Sequence, residues 1–332
     1  GHAIWVNSEA LALAGITRDT ADPDGGLIVR DRRGEPTGVL VDNAMRLIGR
    51  VVPEKSLEER RADLTRGMQY LVSLGMTGVH DAGVPDAGMR AYESLLVDGG
   101  VPMRVYAMLS TTDPANDARL DAGPRTYPGD RLVARSVKVF ADGALGSRGA
   151  ALLEDYSDDP GNRGLLLRND AELRGIMRRA SKAGFQVNVH AIGDLANRRV
   201  LDEFEVINRD PAKRALRHRV EHAQILTLED LERFAPLGVI ASMQPTHATS
   251  DKNMAGDRLG EERLAGAYAW QTLLDTGARL AGGSDFPVEP PNPFYGLHAA
   301  VTRQDRDGEP PRGWRPDEAL TREQALSLFT ED

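Results

Sequence analysis

Four residues stand where chemistry would be placed in an alternating strand and helix chain. His190 ends the apolar run FQVNV, His222 ends HRVE, Asp285 follows RLAGGS, and Lys138 sits inside SVKVF. Taken alone, a histidine at a strand end reads as a hydrogen-bonded structural group. Two of them on successive strands, joined by an aspartate on a later one, read as a metal-ligand set. Histidine nitrogen and carboxylate oxygen suit zinc, and also Mn, Fe or Co. A bound divalent ion lowers the pKa of water towards neutrality and polarises a carbonyl. Asp285 is placed to accept the proton of the attacking water and hand it to the leaving group. The expected chemistry is hydrolysis of an amide, ester or related bond. His80, after GMTGV, reads either as part of this set or as a structural strand end lying under it.

Lys138 is the most informative of these residues. The chain has five lysines, at 55, 138, 182, 213 and 252, and four of them lie in polar segments. Lys138 is flanked by Val137, Val139 and Phe140, so it is expected to point into the interior. Lysine is almost never buried unpaired, and burial disfavours its ammonium form. A neutral amine can add CO2 and become a carbamate, an anionic oxygen ligand for metal. The alternative is an ion pair with a buried carboxylate such as Asp142.

The elements that must position these residues follow from the hydrophobic pattern. Short apolar segments at 76–80, 103–109, 136–143, 185–194, 218–224, 238–244 and 278–285 predict seven strands, mostly without period-2 polarity. Strands buried on both faces have this texture in parallel sheets. Helices are predicted between most of them. SLEERRADLTRGMQYLVSLG (56–75) opens with a capping box of Ser56 and Glu59, and NDAELRGIMRRASKAG (169–184) closes at Gly184. Single helices are also expected over 226–238, capped by Thr227, and over 267–277. Such alternation over roughly 250 residues indicates a (β/α)8 barrel or a doubly wound sheet. No glycine-rich phosphate loop follows a strand, which weakens the doubly wound option. In a barrel the strand ends open on one face, and residues distant in sequence converge there. The first fifty residues differ: turn clusters DPDGG and RRGEPTG surround LIVR and VLVD, a predicted hairpin. Two units are expected, a loop- and hairpin-rich segment over 1–55 and barrel strands over 56–332.

Composition narrows the partners. The chain has 332 residues, 41% hydrophobic and 27% charged, with a formal charge of −9 and no cysteine. This is an ordinary globular composition. The acidic balance argues against nucleic acid and anionic membranes as partners, and for a small-molecule substrate. Without cysteine there is no disulfide scaffold, thiol nucleophile or thiolate metal site. No run of about 18 apolar residues is present to span a membrane. The expected location is cytoplasmic.

The motifs VKVFADGALGSRGA, NVHAIGD, VEHAQ and GGSDFPVE, in this order, resemble the amidohydrolase superfamily. More narrowly they are similar to its family 3 branch, the YtcJ-like proteins that include N-substituted formamide deformylases. GHAIWVNSEALALAGI and GGLIVRDRRGEPTGVLVDNA resemble the same branch. The resemblance implies a TIM-like (β/α)8 metal-dependent hydrolase barrel with a small β-sandwich. It implies carbon–nitrogen bonds other than peptide bonds as substrates, amide or formamide in type. It implies Lys138 as a carboxylated lysine, His190 and His222 as ligands, and Asp285 as ligand and general base, holding most plausibly zinc.

The family's first strand ends in a His-x-His pair, and none is present among the histidines at 2, 80, 190, 218, 222, 247 and 298. The chain is therefore expected to be an internal fragment that lacks barrel strand 1 and most of the β-sandwich. Exposed strand edges would result, and self-association into a homo-oligomer is one way to cover them. Weak or no activity is expected from such a fragment alone. The competing readings are a hydrolase of esters, lactones or phosphotriesters, and an inactive barrel fragment. For substrate, His247 in SMQPTHATSD lies beyond a strand end and reads as a substrate contact or a locally bonded loop histidine. Ser147 and Arg148, in a long segment 144–167 that reads as a lid, are candidates for binding an anionic group. Trp5 reads as core packing or as part of a substrate-facing loop, with His2 in the same segment.

Overall fold

The computed structural model describes residues 1–330. The last two residues of the unit expected over 56–332 lie outside the described residues. The chain opens with a three-stranded antiparallel sheet of β1 (Ala3–Trp5), β2 (Gly26–Arg30) and β3 (Pro36–Asp42), in the order β1-β3-β2. β2 and β3 are the expected hairpin; β1 adds to its far edge, pairing Ile4 with Leu40. One face of this sheet buries Ile28 and Leu40, with Ile16, Ala44 and Ile48 packed beside them.

The second sheet is built from β4 (Gly78–Val84), β5 (Arg104–Ser110), β6 (Arg125–Thr126), β7 (Leu132–Phe140), β8 (Gln186–Ala191), β9 (Arg219–His222), β10 (Ile240–Met243) and β11 (Arg279–Gly282). Its order is β11-β10-β9-β8-β7-β5-β4, every neighbouring pair parallel, with short β6 antiparallel on β7. The seven predicted strands are all present, in the predicted order along the chain. The fold is α/β, and the parallel sheet curls into a half-barrel. Among the described residues no ladder joins β4 to β11.

Alternation along the strands sorts the side chains. Val137, Val139, Val187, Val189 and Val220 are fully buried in the main core beside Met177, Leu201 and Phe204 of the covering helices. Each such valine contributes roughly 1.5–3 kcal/mol by leaving water. The other face, on the concave side, carries Lys138, Gln186, Asn188, His190, Arg219 and Glu221, an unusually polar interior for a parallel sheet.

The helices follow their caps. Helix Leu57–Ser73 has the complete capping box of Ser56 and Glu59, and helix Asp170–Lys182 has one of Asn169 and Glu172. Two expected helices come out shorter. Residues 226–238 form two helices, Leu228–Leu231 and Phe234–Leu237, because Pro236 has no N–H to bond to Glu232. The segment 267–277 is helical only over Trp270–Asp275, since Tyr268 takes a left-handed φ of 52° that no helix turn accepts. Among the described residues no helix is long and apolar enough to cross a membrane.

His218, just before β9, ties the helix layer to the sheet. Its ring stacks on Phe204 at 5.1 Å and 7°, and its Nδ1 accepts the Val187 N–H at 3.0 Å. Burial holds its imidazole down at about 4, against an ordinary 6.5. As pH falls the unfolded chain therefore takes up this proton first. The stability is fully present above pH 6.5 and is lost between 6.5 and about 4, a span worth roughly 3 kcal/mol. Urea unfolding from pH 7.5 to 4.5 should show a steeper loss than in a His218→Gln variant. Parallel curves would contradict this account.

Candidate metal centre

Three neighbouring strands deliver the core of the site. β7 carries Lys138, β8 carries His190 and β9 ends in His222, in a register that pairs Phe140 with His190 and Ala191 with His222. The rings of His190 and His222 lie 4.6 Å apart, edge to face at 72°. Both histidines are buried.

Each imidazole has one nitrogen committed. His190 donates from Nε2 to the Gly143 carbonyl at 3.2 Å, which leaves Nδ1 with its lone pair. His222 donates from Nδ1 to Gln244 Oε1 at 2.7 Å, and Gln244 is held that way round by donating its amide to the Ser242 carbonyl. That leaves Nε2 of His222 free. An outer acceptor that locks the tautomer is what metal-ligating histidines have. Burial, with His222, His2 and Lys138 adding to it, holds His190 well below the usual imidazole range. Burial holds His222 at about 4. Both rings are therefore neutral at pH 7, the form that ligates.

Lys138 is 5% exposed, and its side-chain amine makes no hydrogen bond or ion pair among the described residues, although its carbonyl accepts from Thr111. Its Nζ lies 5.0 Å from the Phe140 ring. The ion pair with Asp142 considered from the sequence is absent. Asp142 instead accepts the N–H groups of Ala151, Ile192 and Gly193 at 2.8–3.0 Å. Burial lowers the lysine, opposed by the charges of Glu221 and Asp285. Glu221 is pushed up by burial but pulled further down by Arg219 and Lys138, to about 2. Its carboxylate is tied to Arg219 at 2.5 Å.

Asp285 follows β11 at the mouth, 37% exposed, with Oδ2 4.0 Å from His247 Nε2. The His247 ring stacks on His222 at 5.8 Å. Donor atoms of His222, His247 and Asp285 lie within 4.8 Å of one another. His222 and Asp285 both hold left-handed φ angles, 80° and 54°. Such strain in non-glycine residues collects at functional sites. Among the described residues the histidine and carboxylate donors that converge are those of His222, His247 and Asp285, and His190 stands outside that group. Imidazole nitrogen and carboxylate oxygen so gathered suit a divalent ion of the zinc kind.

The other candidates are placed differently. His80 lies mid-strand in β4, below the site, its Nδ1 2.8 Å from the Arg219 guanidinium and its ring on Tyr106. Arg148 forms ion pairs with Asp158, at 2.9 Å, and Asp159, so its charge is already matched within its own loop. Ser147 donates to the Ala144 carbonyl. The long loop is a packed insert and not a free lid: Leu145, Leu152 and Tyr156 are in the core, and Arg263 holds Asp155 and Ser157. Trp5 is 84% exposed on the outer face of the small sheet, which corrects the core-packing reading.

Sequence reasoning missed three contributors, Gln244, Gly143 and Asp42, and placed His2 only in a substrate-facing segment. Gln244 sits one residue beyond β10, at the same strand end as the ligands, and as a non-ionisable amide it carries no ligand signature in the sequence. Gly143 contributes a carbonyl, which no side-chain pattern reveals. His2 and Asp42 come from the small sheet. His2 Nδ1 donates to Asp42 Oδ1 at 2.7 Å and its ring lies 4.6 Å from that of His190. A Cβ at Gly143 or Gly149 would meet Asp42 Oδ2 at 2.3–2.4 Å, so these glycines admit the carboxylate. This docking is long-range, and nothing local in the sequence signals it.

The pattern that defines the Amidohydrolase family matches residues 1–332. The chain belongs to that family. It is 39% identical over 340 residues to a Bacillus subtilis (strain 168) protein named as the amidohydrolase YtcJ, covering 99% of this chain and 62% of that protein. It is 29% identical over 343 residues to the N-substituted formamide deformylase of Arthrobacter pascens, covering 99% of this chain and 61% of that enzyme. The crystal structure of an uncharacterised metal-dependent hydrolase from Pyrococcus horikoshii OT3 superimposes with a TM-score of 0.80 at 30% identity, over 99% of this chain and 64% of that one. The chain thus spans less than two thirds of the length of these relatives.

Proposed function

We propose that this family member is a metal-dependent hydrolase of carbon–nitrogen bonds other than peptide bonds, of amide or formamide type. The observation that carries the reading is the pair of buried, neutral, tautomer-locked imidazoles beside an unpaired buried lysine. The likeness to a formamide deformylase supports the bond class. Lys138, as its CO2-derived carbamate, with His190, His222 and Asp285, would hold the ion, most readily zinc. We read the curled sheet as the major part of a (β/α)8 barrel, with the site at the strand C-terminal ends.

When bound, such an ion supplies Lewis acidity to a carbonyl and makes water more acidic. The protein's own groups do the rest. Glu221 and Arg219 neutralise each other beneath the site and leave Lys138 without an ion-pair partner. Gly143 and Gln244 fix the imidazoles. Asp285, exposed at the mouth, takes a proton from the attacking water and passes it to the leaving nitrogen. A C–O bond forms, the C–N bond breaks, and the products are a carboxylic acid and an amine.

The test is a paired screen of the zinc-loaded protein on formanilide and acetanilide against phenyl acetate, a lactone and a phosphotriester. Metal-dependent release of aniline is expected. Turnover confined to the oxygen esters would overturn the bond class.

A further inference from the structure

The geometry points to His247 as a metal ligand, forming with His222 and Asp285 a three-donor face of the centre with an open position. This inference rests on the metal-dependent reading above. It goes beyond that reading, which gives His247 no bond to the ion.

Three observations carry it. His247 Nε2 is buried and has no hydrogen-bond partner. A polar atom left so is costly unless something else engages it. That same atom faces the Asp285 carboxylate at 4.0 Å, too long for a hydrogen bond and suited to a shared ion. And the ring stacks on His222, whose own committed nitrogen is Nδ1, so the free Nε2 of His222 is the donor available to the group.

The spacing is close to what an ion needs. One ring nitrogen of each histidine and a carboxylate oxygen of Asp285 lie within 4.8 Å of one another. Tetrahedral zinc with bonds of about 2.0–2.1 Å requires separations of about 3.3 Å, a closure of up to about 1.5 Å. His247 sits in the short helix Pro245–Asp251, which begins two residues after β10 ends, so the strand that supplies Gln244 also fixes this ring. The set with His247 and the set with Lys138 and His190 have His222 and Asp285 in common.

The experiment is a zinc titration by calorimetry, with Co(II) absorption as a second readout. It compares the unmodified protein with His247→Ala, His247→Gln, His222→Ala and His298→Ala. His298 lies in another helix and serves as the control. Zinc affinity should fall about 100-fold or more in both His247 variants, as in His222→Ala, and stay unchanged in His298→Ala. The glutamine variant keeps the side-chain bulk should the alanine variant fold poorly. Zinc binding that survives both His247 substitutions but is lost in His222→Ala would overturn this inference and leave the hydrolase reading standing. No zinc bound by the unmodified protein would overturn both.

Discussion

Replacing Asp285 with asparagine should lower kcat by about 100- to 10,000-fold at saturating zinc, while the protein still binds the ion. The asparagine keeps an oxygen at the same place but has no basic lone pair to carry the proton. Lys138, His190 and His222 remain as donors, so the metal affinity should fall far less than the rate. The contrast is the informative part. Asp285 is the exposed member of the set, at the mouth, and its carboxylate makes no hydrogen bond that would occupy it; its nearest ionisable partner is His247 at 4.0 Å. A carboxylate so placed can turn towards substrate. If kcat of the variant at zinc saturation stays within a few-fold of the unmodified protein, the proton carrier must be sought elsewhere.

The second large effect is expected at Lys138. Lys138→Ala should weaken zinc binding by more than about 100-fold, more than loss of an outer-shell partner usually costs. Lys138→Arg should do the same, because a guanidinium stays charged and cannot add CO2. The physical cause is the absence of any counter-charge bonded to a 5% exposed ammonium. Burial favours the neutral amine, and the carbamate that amine forms would place negative oxygen beside His190 and His222. Stripping CO2 and bicarbonate from the apoprotein should therefore slow zinc loading, and bicarbonate should restore it. Tight zinc binding by Lys138→Ala, or loading indifferent to bicarbonate, would remove the carbamate from the account.

How much of this was legible beforehand depends on the range of the interaction. Each of the seven parallel strands of the curled sheet is an apolar run, because a strand covered on both faces needs no polar alternation, whereas the exposed two-residue β6 carries no such signal. Capping boxes at Ser56 and Asn169 act within four residues, and the sequence contains all of their parts. The strand-end rule then brought Lys138, His190 and His222 together without any knowledge of distances. The rest depends on contacts across the chain. Trp5 was misjudged because the small sheet has two faces and a three-residue strand does not reveal which is covered. Arg148, a candidate anion-binding residue by sequence, is matched instead by Asp158, ten residues on across a loop whose path the sequence does not reveal. His2 and Asp42 reach the centre only through the docking of one sheet on a loop of the other. Their arrival beside His190 is tertiary structure, and it brings the small sheet into the site.

The most direct test of the central claim is metal content per chain, by elemental analysis of protein purified without chelators, beside His190→Ala and His222→Ala variants. The account predicts bound zinc or a similar divalent ion in the unmodified protein, lost in both variants, with the fold intact by circular dichroism. Metal-free protein that stays metal-free after incubation with zinc would contradict it, as would metal retained equally by both variants.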